Sequence, residues 1–283
     1  GASNLGHIIL YSILNSVPWQ LCDRAYLPAP DLAKRLREFQ QPLFAVESRR
    51  PLLAFDILGF SLCYELGATN ILEMLDLAGV PLLAANRGDI PLDDPSAPPL
   101  IFAGGPTATS NPEPYAAFFD FVALGDGEEL LPEIGLVVAD AKAVGLSRLR
   151  LLQDLAQVPG VYVPSLYGPG ADGISIVPLD PVVPARILRR VAKPMPYYAT
   201  GLVPHIETVH DRLTVDIRRG CTRGCRFCQL GMLTRPARDV EPEAVIEAVQ
   251  TGMKRTGYSD FSLLSLSCSD YLALPAVGVE LQN

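Results

Sequence analysis

The chain has 283 residues, 49% of them apolar, and carries a formal charge of -8 from 23 Lys and Arg against 31 Asp and Glu. That length supports two domains with a sizeable core, and the acidic balance weighs against a general binder of nucleic acid or anionic membrane, whose attraction grows with the cations presented. No run of about 18 uninterrupted apolar residues occurs, and the first residues lack the order of a secretory signal, so a soluble cytoplasmic protein with no membrane partner is expected.

Leu5, Ile8, Ile9 and Ile13 fall on one helical face, which predicts a helix at the start, capped by Ser3 or Asn4, with no strand ahead of it. An amphipathic helix follows at Asp31 to Gln40, then strands around Leu43 to Val46 and Phe55 to Leu62. A helix from Thr69 to Ala78 stops at Gly79 and leads to a strand at Val80 to Ala84. "PLIFAGG" reads as a strand, and "FDFVALGDGEEL" as strand, turn and helix start. Strands alternating with helices imply an α/β fold whose doubly wound parallel sheet is covered on both faces, here assigned to residues 1–144.

From 145 to 205 the pattern weakens and Pro and Gly become frequent, which predicts a connecting region with a short extended segment at "GVYVPSLYGPG". Residues 206–283 then read as strand "LTVDIRRG", a cysteine loop, a helix opened by Pro242, and strand "FSLLSLS". Val245, Ala248, Val249, Gly252 and Met253 share one face of that helix. The unit is βαβ.

The cysteines are Cys22, Cys63, Cys221, Cys225, Cys228 and Cys268, with three of them inside "DIRRGCTRGCRFCQLG". In a reducing compartment such clustering points to metal rather than to disulfides. Three thiolates are one too few for a structural zinc site. His205, His210 or Cys268 could add the fourth, but none stands at a short zinc-finger spacing. A four-iron cluster held by three cysteines instead leaves one iron open to an outside ligand.

"CTRGCRFC" resembles the signature of the radical S-adenosylmethionine (SAM) enzymes, C-x3-C-x-aromatic-C after the first strand of a partial βα barrel. The resemblance implies that Cys221, Cys225 and Cys228 hold a 4Fe-4S cluster whose open iron binds the amine and carboxylate of SAM. The reduced cluster then cleaves SAM to methionine and a 5'-deoxyadenosyl radical, and an electron donor such as flavodoxin or ferredoxin is implied as a partner. Phe227 would pack beside the adenine, or simply fill the barrel mouth. Family members usually carry a Gly-Gly-Glu-like segment at the end of the second strand to receive the methionyl amine; "SLSCSDY" stands there, so Ser267, Ser269 and Asp270 are the candidates by position and acceptor oxygens. Cys268 reads as a near-site thiol or a small apolar filler. Arg218, Arg219, Arg223, Arg226, Arg235 and Arg238 surround the triplet, where they would stabilise an anionic cluster or form a solvated basic loop, with RNA contact a weaker reading.

"FDILGFSL", "IFAGGPTATSNPE" and "FDFVALGDGEE" resemble, in order and spacing, the Rossmann-like or flavodoxin-like cobalamin-binding domain that precedes the radical barrel in one subgroup. Gly104, Gly105, Thr107 and Gly125 would let backbone approach a large flat cofactor at the C-terminal ends of the strands, or serve as ordinary βα turns. The Asp-x-His-x-x-Gly motif is absent, so cobalamin would lack a protein histidine on cobalt. Further stretches, among them "LGHIILYSILN" and "PLFAVESRRPL", resemble an uncharacterised subgroup of cobalamin-domain radical proteins. The resemblance also implies a chain shortened at both ends: a strand is expected before the Leu5 helix and further βα units after Asn283, so little turnover is expected from this chain alone. Methyl transfer or rearrangement of an unknown substrate is the implied reaction. A methylthiotransferase acting on RNA or protein would need a second cysteine triplet. A non-catalytic cobalamin sensor and a zinc-clipped interaction module are the remaining readings.

Overall fold

The computed structural model describes residues 4–200, 202–206, 208–209 and 211–282, so Ser3 and His210 lie outside the described residues. The chain divides into two compact units, one of residues up to Cys22 with those from Ala192 onward, the other Asp23–Val191. Helix α1 (Leu5–Ser16) is capped by the Asn4 side chain, which accepts the His7 N–H at 3.0 Å. Its Ile9 and Ile13 are buried against Ala199, Met195 and Tyr198, in the first of these units. No described helix is long and apolar enough to cross a membrane.

In Asp23–Val191 the order is α2 (Pro30–Glu38), β1 (Ile57–Ser61), α3 (Gly67–Ala78), β2 (Leu100–Gly104), α4 (Pro106–Ser110) and β3 (Phe121–Ala123). Then come α5 (Gly127–Ala143), α6 (Arg148–Leu155), β4 (Val161–Tyr162) and a hairpin of β5 (Tyr167–Pro169) and β6 (Ile176–Pro178). The main sheet runs β1-β2-β3-β4, parallel over the first three strands and antiparallel at β4. β2 and β3 are almost wholly apolar and largely buried, the pattern of parallel strands covered on both faces. Phe102 of β2 stacks on Phe121 of β3 at 4.9 Å and also covers Gly59 of β1, where a Cβ would fall 2.5 Å from the ring.

Two predicted strands are loops. Leu43 and Ala45 are buried while Phe44 and Val46 are exposed, an alternation that imitates a half-buried strand. The segment makes only an isolated bridge to Pro51, and its polar backbone is satisfied outside any strand ladder, Leu43 N–H donating to Leu77 O of α3 at 2.8 Å and Ala45 N–H to Arg50 O at 2.9 Å. Val80 closes the end of α3: Gly79 is left-handed (φ 71°) and Val80 N–H donates to Leu75 O at 3.0 Å, the glycine-terminated helix stop in which the following apolar residue packs back. Conversely, α6 and its Ser147 cap fall in the region read as a connector, because its charged sequence hides the buried Leu151, Leu152 and Leu155.

Before β3, a charged group lies inside this unit. Asp120 receives Arg87 at 2.8 Å and Arg148 at 3.0 and 3.1 Å, and also accepts the Ile101 N–H at 2.7 Å. Further guanidinium donors go to the carbonyls of Pro81, Leu82, Phe118, Pro98 and Pro99. All three side chains are almost fully buried. Burial pushes Arg87 below its ordinary value; Asp120 pulls it back and Arg148 adds to the fall.

The other unit contains β7 (Leu213–Arg219), α7 (Gln229–Leu233), β8 (Arg238–Asp239), α8 (Pro242–Thr256), β9 (Phe261–Ser265) and α9 (Leu274–Gln282). β7 lies between antiparallel β8 and parallel β9, and β7, α8 and β9 form the predicted βαβ unit. Leu213, Val215 and Ile217 of β7 bury against Val245, Ala248 and Val249 of α8. Gly252 lets the helix come close: a Cβ there would lie 2.7 Å from Leu213 and 2.9 Å from Thr200.

Candidate functional site

The loop that follows β7 is fixed at its origin. Gly220 has φ 85°, and a Cβ there would fall 2.6 Å from Thr234 O and 2.7 Å from Pro236 O. Only glycine fits. Cys221, Cys225 and Cys228 then follow on one short loop, all as free thiols. Cys228 N–H donates to Cys225 O at 3.1 Å, and the Cys228 sulfur caps α7 by accepting the Gly231 N–H at 3.3 Å. The Cys221 sulfur accepts the Arg223 N–H at 3.4 Å. Gly231 sits between the first and third cysteines, since a Cβ on it would lie 3.3 Å from Cys228 Sγ and 4.0 Å from Cys221 Cβ.

The arginines around the loop separate into two kinds. Arg218 donates to Asp239 Oδ1 at 2.7 Å and to the Asp270 carbonyl at 3.0 Å, and Arg219 pairs with Asp216 at 2.9 Å. Arg223 grips Asp270 with two bonds, Nε to Oδ2 at 2.9 Å and a terminal nitrogen to Oδ1 at 2.5 Å. Arg238 donates to the Ala192, Thr234 and Pro236 carbonyls. Arg226 and Arg235 are exposed and make no ion pair among the described residues, so the solvated-loop reading holds for these two. The bond to Asp270 is the main cause that raises Arg223, with the charges of Asp270 and of Cys221 and Cys225 adding to it. Asp270 is correspondingly held below the usual carboxylate range, first by Arg223 and then by Ser267, whose hydroxyl donates at 2.7 Å.

The remaining predicted residues of this region are spread around the loop. Phe227 is 92% exposed, Ser269 is exposed, and Ser267 is half-buried against Asp270. Cys268 turns its thiol toward the Leu263 and Ser265 carbonyls and packs on the α8 core, which is the filler role. His205 is exposed. Among the described residues no three His, Cys, Asp or Glu side chains converge as they would around a single metal ion. A multinuclear cluster, in which each thiolate takes a different iron, does not require such convergence. Sequence reasoning missed the Arg223–Asp270 link; the only available signal was opposite charge at two positions far apart in the chain.

In Asp23–Val191, Gly104 ends β2, Gly105 and Thr107 follow it and Gly125 follows β3, at the C-terminal ends of adjacent parallel strands where doubly wound sheets bind ligands. Gly105 (φ 102°) gives room to Leu62, whose carbonyl would lie 3.0 Å from a Cβ there and accepts the Thr107 N–H at 3.2 Å. Gly125 (φ 102°) lies against the Arg190 backbone, which bonds to both Leu124 and Asp126, and donates its own N–H to Thr109 Oγ1 at 3.0 Å. The close approaches that Gly105 and Gly125 permit are thus to the chain's own backbone. Gly104 makes ordinary contact with Ala123, and Thr107 is buried.

The family model described as radical SAM proteins, N-terminal, matches residues 6–164, more than half of the chain. The chain belongs to this family. No curated protein matches it. Among solved structures, this radical SAM chain is similar to the methyltransferase TsrM from Kitasatospora setae, described as a radical S-adenosylmethionine methyltransferase with tryptophan substrate and a SAM analogue bound. That likeness has 13% identity and a TM-score of 0.54, over 98% of this chain and 47% of that one. A second structure of TsrM, with cobalamin and a [4Fe-4S] cluster bound, gives a TM-score of 0.52 at the same identity. OxsB, described as a cobalamin-dependent radical enzyme with aqua-cobalamin and SAM bound, gives 0.50 at 15% identity, over 93% of this chain and 31% of that one. At such identities the likeness shows the fold, and the radical SAM chain spans less than half the length of each of these structures.

Proposed function

We propose that this chain carries the cofactor-binding front of a radical SAM enzyme, with Cys221, Cys225 and Cys228 as the three ligands of a 4Fe-4S cluster. The observation that carries the proposal is the C-x3-C-x2-C loop leaving the C-terminal end of β7 in a parallel βαβ unit, the end at which βα barrels place their chemistry. Bound there, the cluster would supply one electron to the sulfonium of SAM, yielding methionine and a 5'-deoxyadenosyl radical. The chain's own residues prepare the seat. Gly220 sets where Cys221 begins, Gly231 leaves space between Cys221 and Cys228, and the backbone N–H groups of Arg223 and Gly231 point at sulfur. Such N–H bonds and nearby cations stabilise the reduced, more anionic cluster and raise its potential.

Ser267, Ser269 and Asp270 are the acceptors proposed for the methionyl amine, and Phe227 the face for adenine. Cobalamin is proposed as a second cofactor at the strand ends marked by Gly104, Gly105, Thr107 and Gly125; the fold shared with TsrM and OxsB supports this. The Asp23–Val191 unit contains no histidine, so cobalamin bound there would receive no histidine ligand from this unit. The reaction is proposed as methyl transfer or rearrangement, in the cytoplasm, with flavodoxin or ferredoxin as electron donor. Anaerobic reconstitution tests the cluster. About four irons per chain and a broad absorption near roughly 400 nm are expected, both lost in Cys225→Ala; a wild-type chain that binds no iron refutes it. Hydroxocobalamin titration tests the second cofactor, and absence of binding removes it.

A further inference from the structure

We infer that Arg223 is a positioning residue that latches the cysteine loop onto the turn after β9 and so holds the Cys221–Cys225 span in register before any cluster is present. The inference rests on the reading of these cysteines as cluster ligands. Arg223 is the middle residue between Cys221 and Cys225, and its fork reaches 47 positions along the chain to Asp270. A guanidinium bound through two nitrogens to both oxygens of a carboxylate fixes orientation as well as distance.

Asp270 is a rigid post for such a latch. Its side chain is 16% exposed and accepts Ser267, while its carbonyl accepts Arg218, which is itself paired with Asp239 of β8. The next residue, Tyr271, is buried and its hydroxyl donates to Val240 O at 2.8 Å. The turn is therefore tied directly to β7 and to the residue that follows β8. Arg223, by contrast, is 62% exposed and comes from a loop with Gly224 in the left-handed region (φ 65°) beside it. An exposed ion pair adds little to global stability, so its effect is local: it restrains the loop between Cys221 and Cys225. Ordering the Cys221 and Cys225 ligands in advance lowers the entropy lost when they close on a cluster.

Hydrogen exchange on the full, metal-free chain under anaerobic reducing conditions tests this. Arg223→Lys keeps the charge but loses the fork; Asp270→Asn keeps the shape but loses the charge. Each is expected to speed exchange of amides in 221–227 several-fold while leaving β7, β9 and the melting temperature as in wild type. The double variant should be no faster than either single change, Asp270→Glu should restore part of the protection, and both single variants should assemble the cluster more slowly when iron is limiting. The inference is overturned by a loop that already exchanges freely in wild type, by unchanged exchange in the variants, by loss of protection spread through β7 and β9, or by assembly at the wild-type rate. Iron uptake by the wild-type chain judges the cluster separately, since a chain that takes no iron but shows the exchange difference keeps the latch and loses the cofactor.

Discussion

Arginine and aspartate meet in two contrasting places in this chain, and surroundings decide what each meeting accomplishes. Around Asp120 the carboxylate and both guanidiniums are almost fully buried, and carbonyl oxygens take up further donors. Around Asp270 one partner is 62% exposed and the link joins a loop to a turn. Taking three charges out of water makes the first group costly to break singly. Leaving one partner in water makes the second nearly neutral for stability and available for exchange. The same residue pair thus serves as a fixed internal joint in one unit and as a removable fastening in the other.

The most severe disturbance expected is Asp120→Ala, which leaves two guanidiniums buried without a counter-charge and should cost about 3–5 kcal/mol in denaturant unfolding; a loss near zero would break the contrast. Gly252→Ala comes next, because its new methyl would press on Leu213 and Thr200, at about 1–3 kcal/mol for overpacking less about 1 kcal/mol of improved helix propensity. Salt sharpens the contrast further. At about 1 M ionic strength the Debye length falls to about 3 Å, so exchange protection of 221–227 should drop while the exchange of β3, next to Asp120, stays as it was. The smallest effect concerns Asp23, where burial acts upward but bonds from Glu47 and Ser48 outweigh it and leave the carboxyl below its usual value. A depressed carboxylate contributes stability above its unfolded value of about 3.9 and loses it as pH falls through the folded one. Asp23→Asn should therefore cost about 1 kcal/mol at neutral pH and nothing once the wild-type carboxyl is protonated.

How far the sequence could be read depends on whether a signal was local. The α8 face, the Gly79 stop and the loop that carries the cysteines after β7 are all encoded within one helix or loop, and they stand where expected. The segments 43–46 and 80–84 misled because alternation and apolar runs record burial, and a loop pressed into a core acquires the same record as a strand. The reversal of β4 was invisible for a related reason: two residues carry no periodicity, and their direction is set by how the chain returns from α6. Arg223 and Asp270 are each visibly charged in the sequence, but only folding makes them neighbours.

Gly220 has a consequence for how such a loop can diverge. Its missing methyl is filled by the carbonyls of Thr234 and Pro236 and by Ala237, so the start of the loop and the segment just beyond α7 share one space. Neither can be lengthened or reshaped alone. Among relatives, alterations at 220 should travel with alterations at 234–237, while the exposed Thr222 and Arg226, between the cysteines, are where lineages are free to vary the rim of the site.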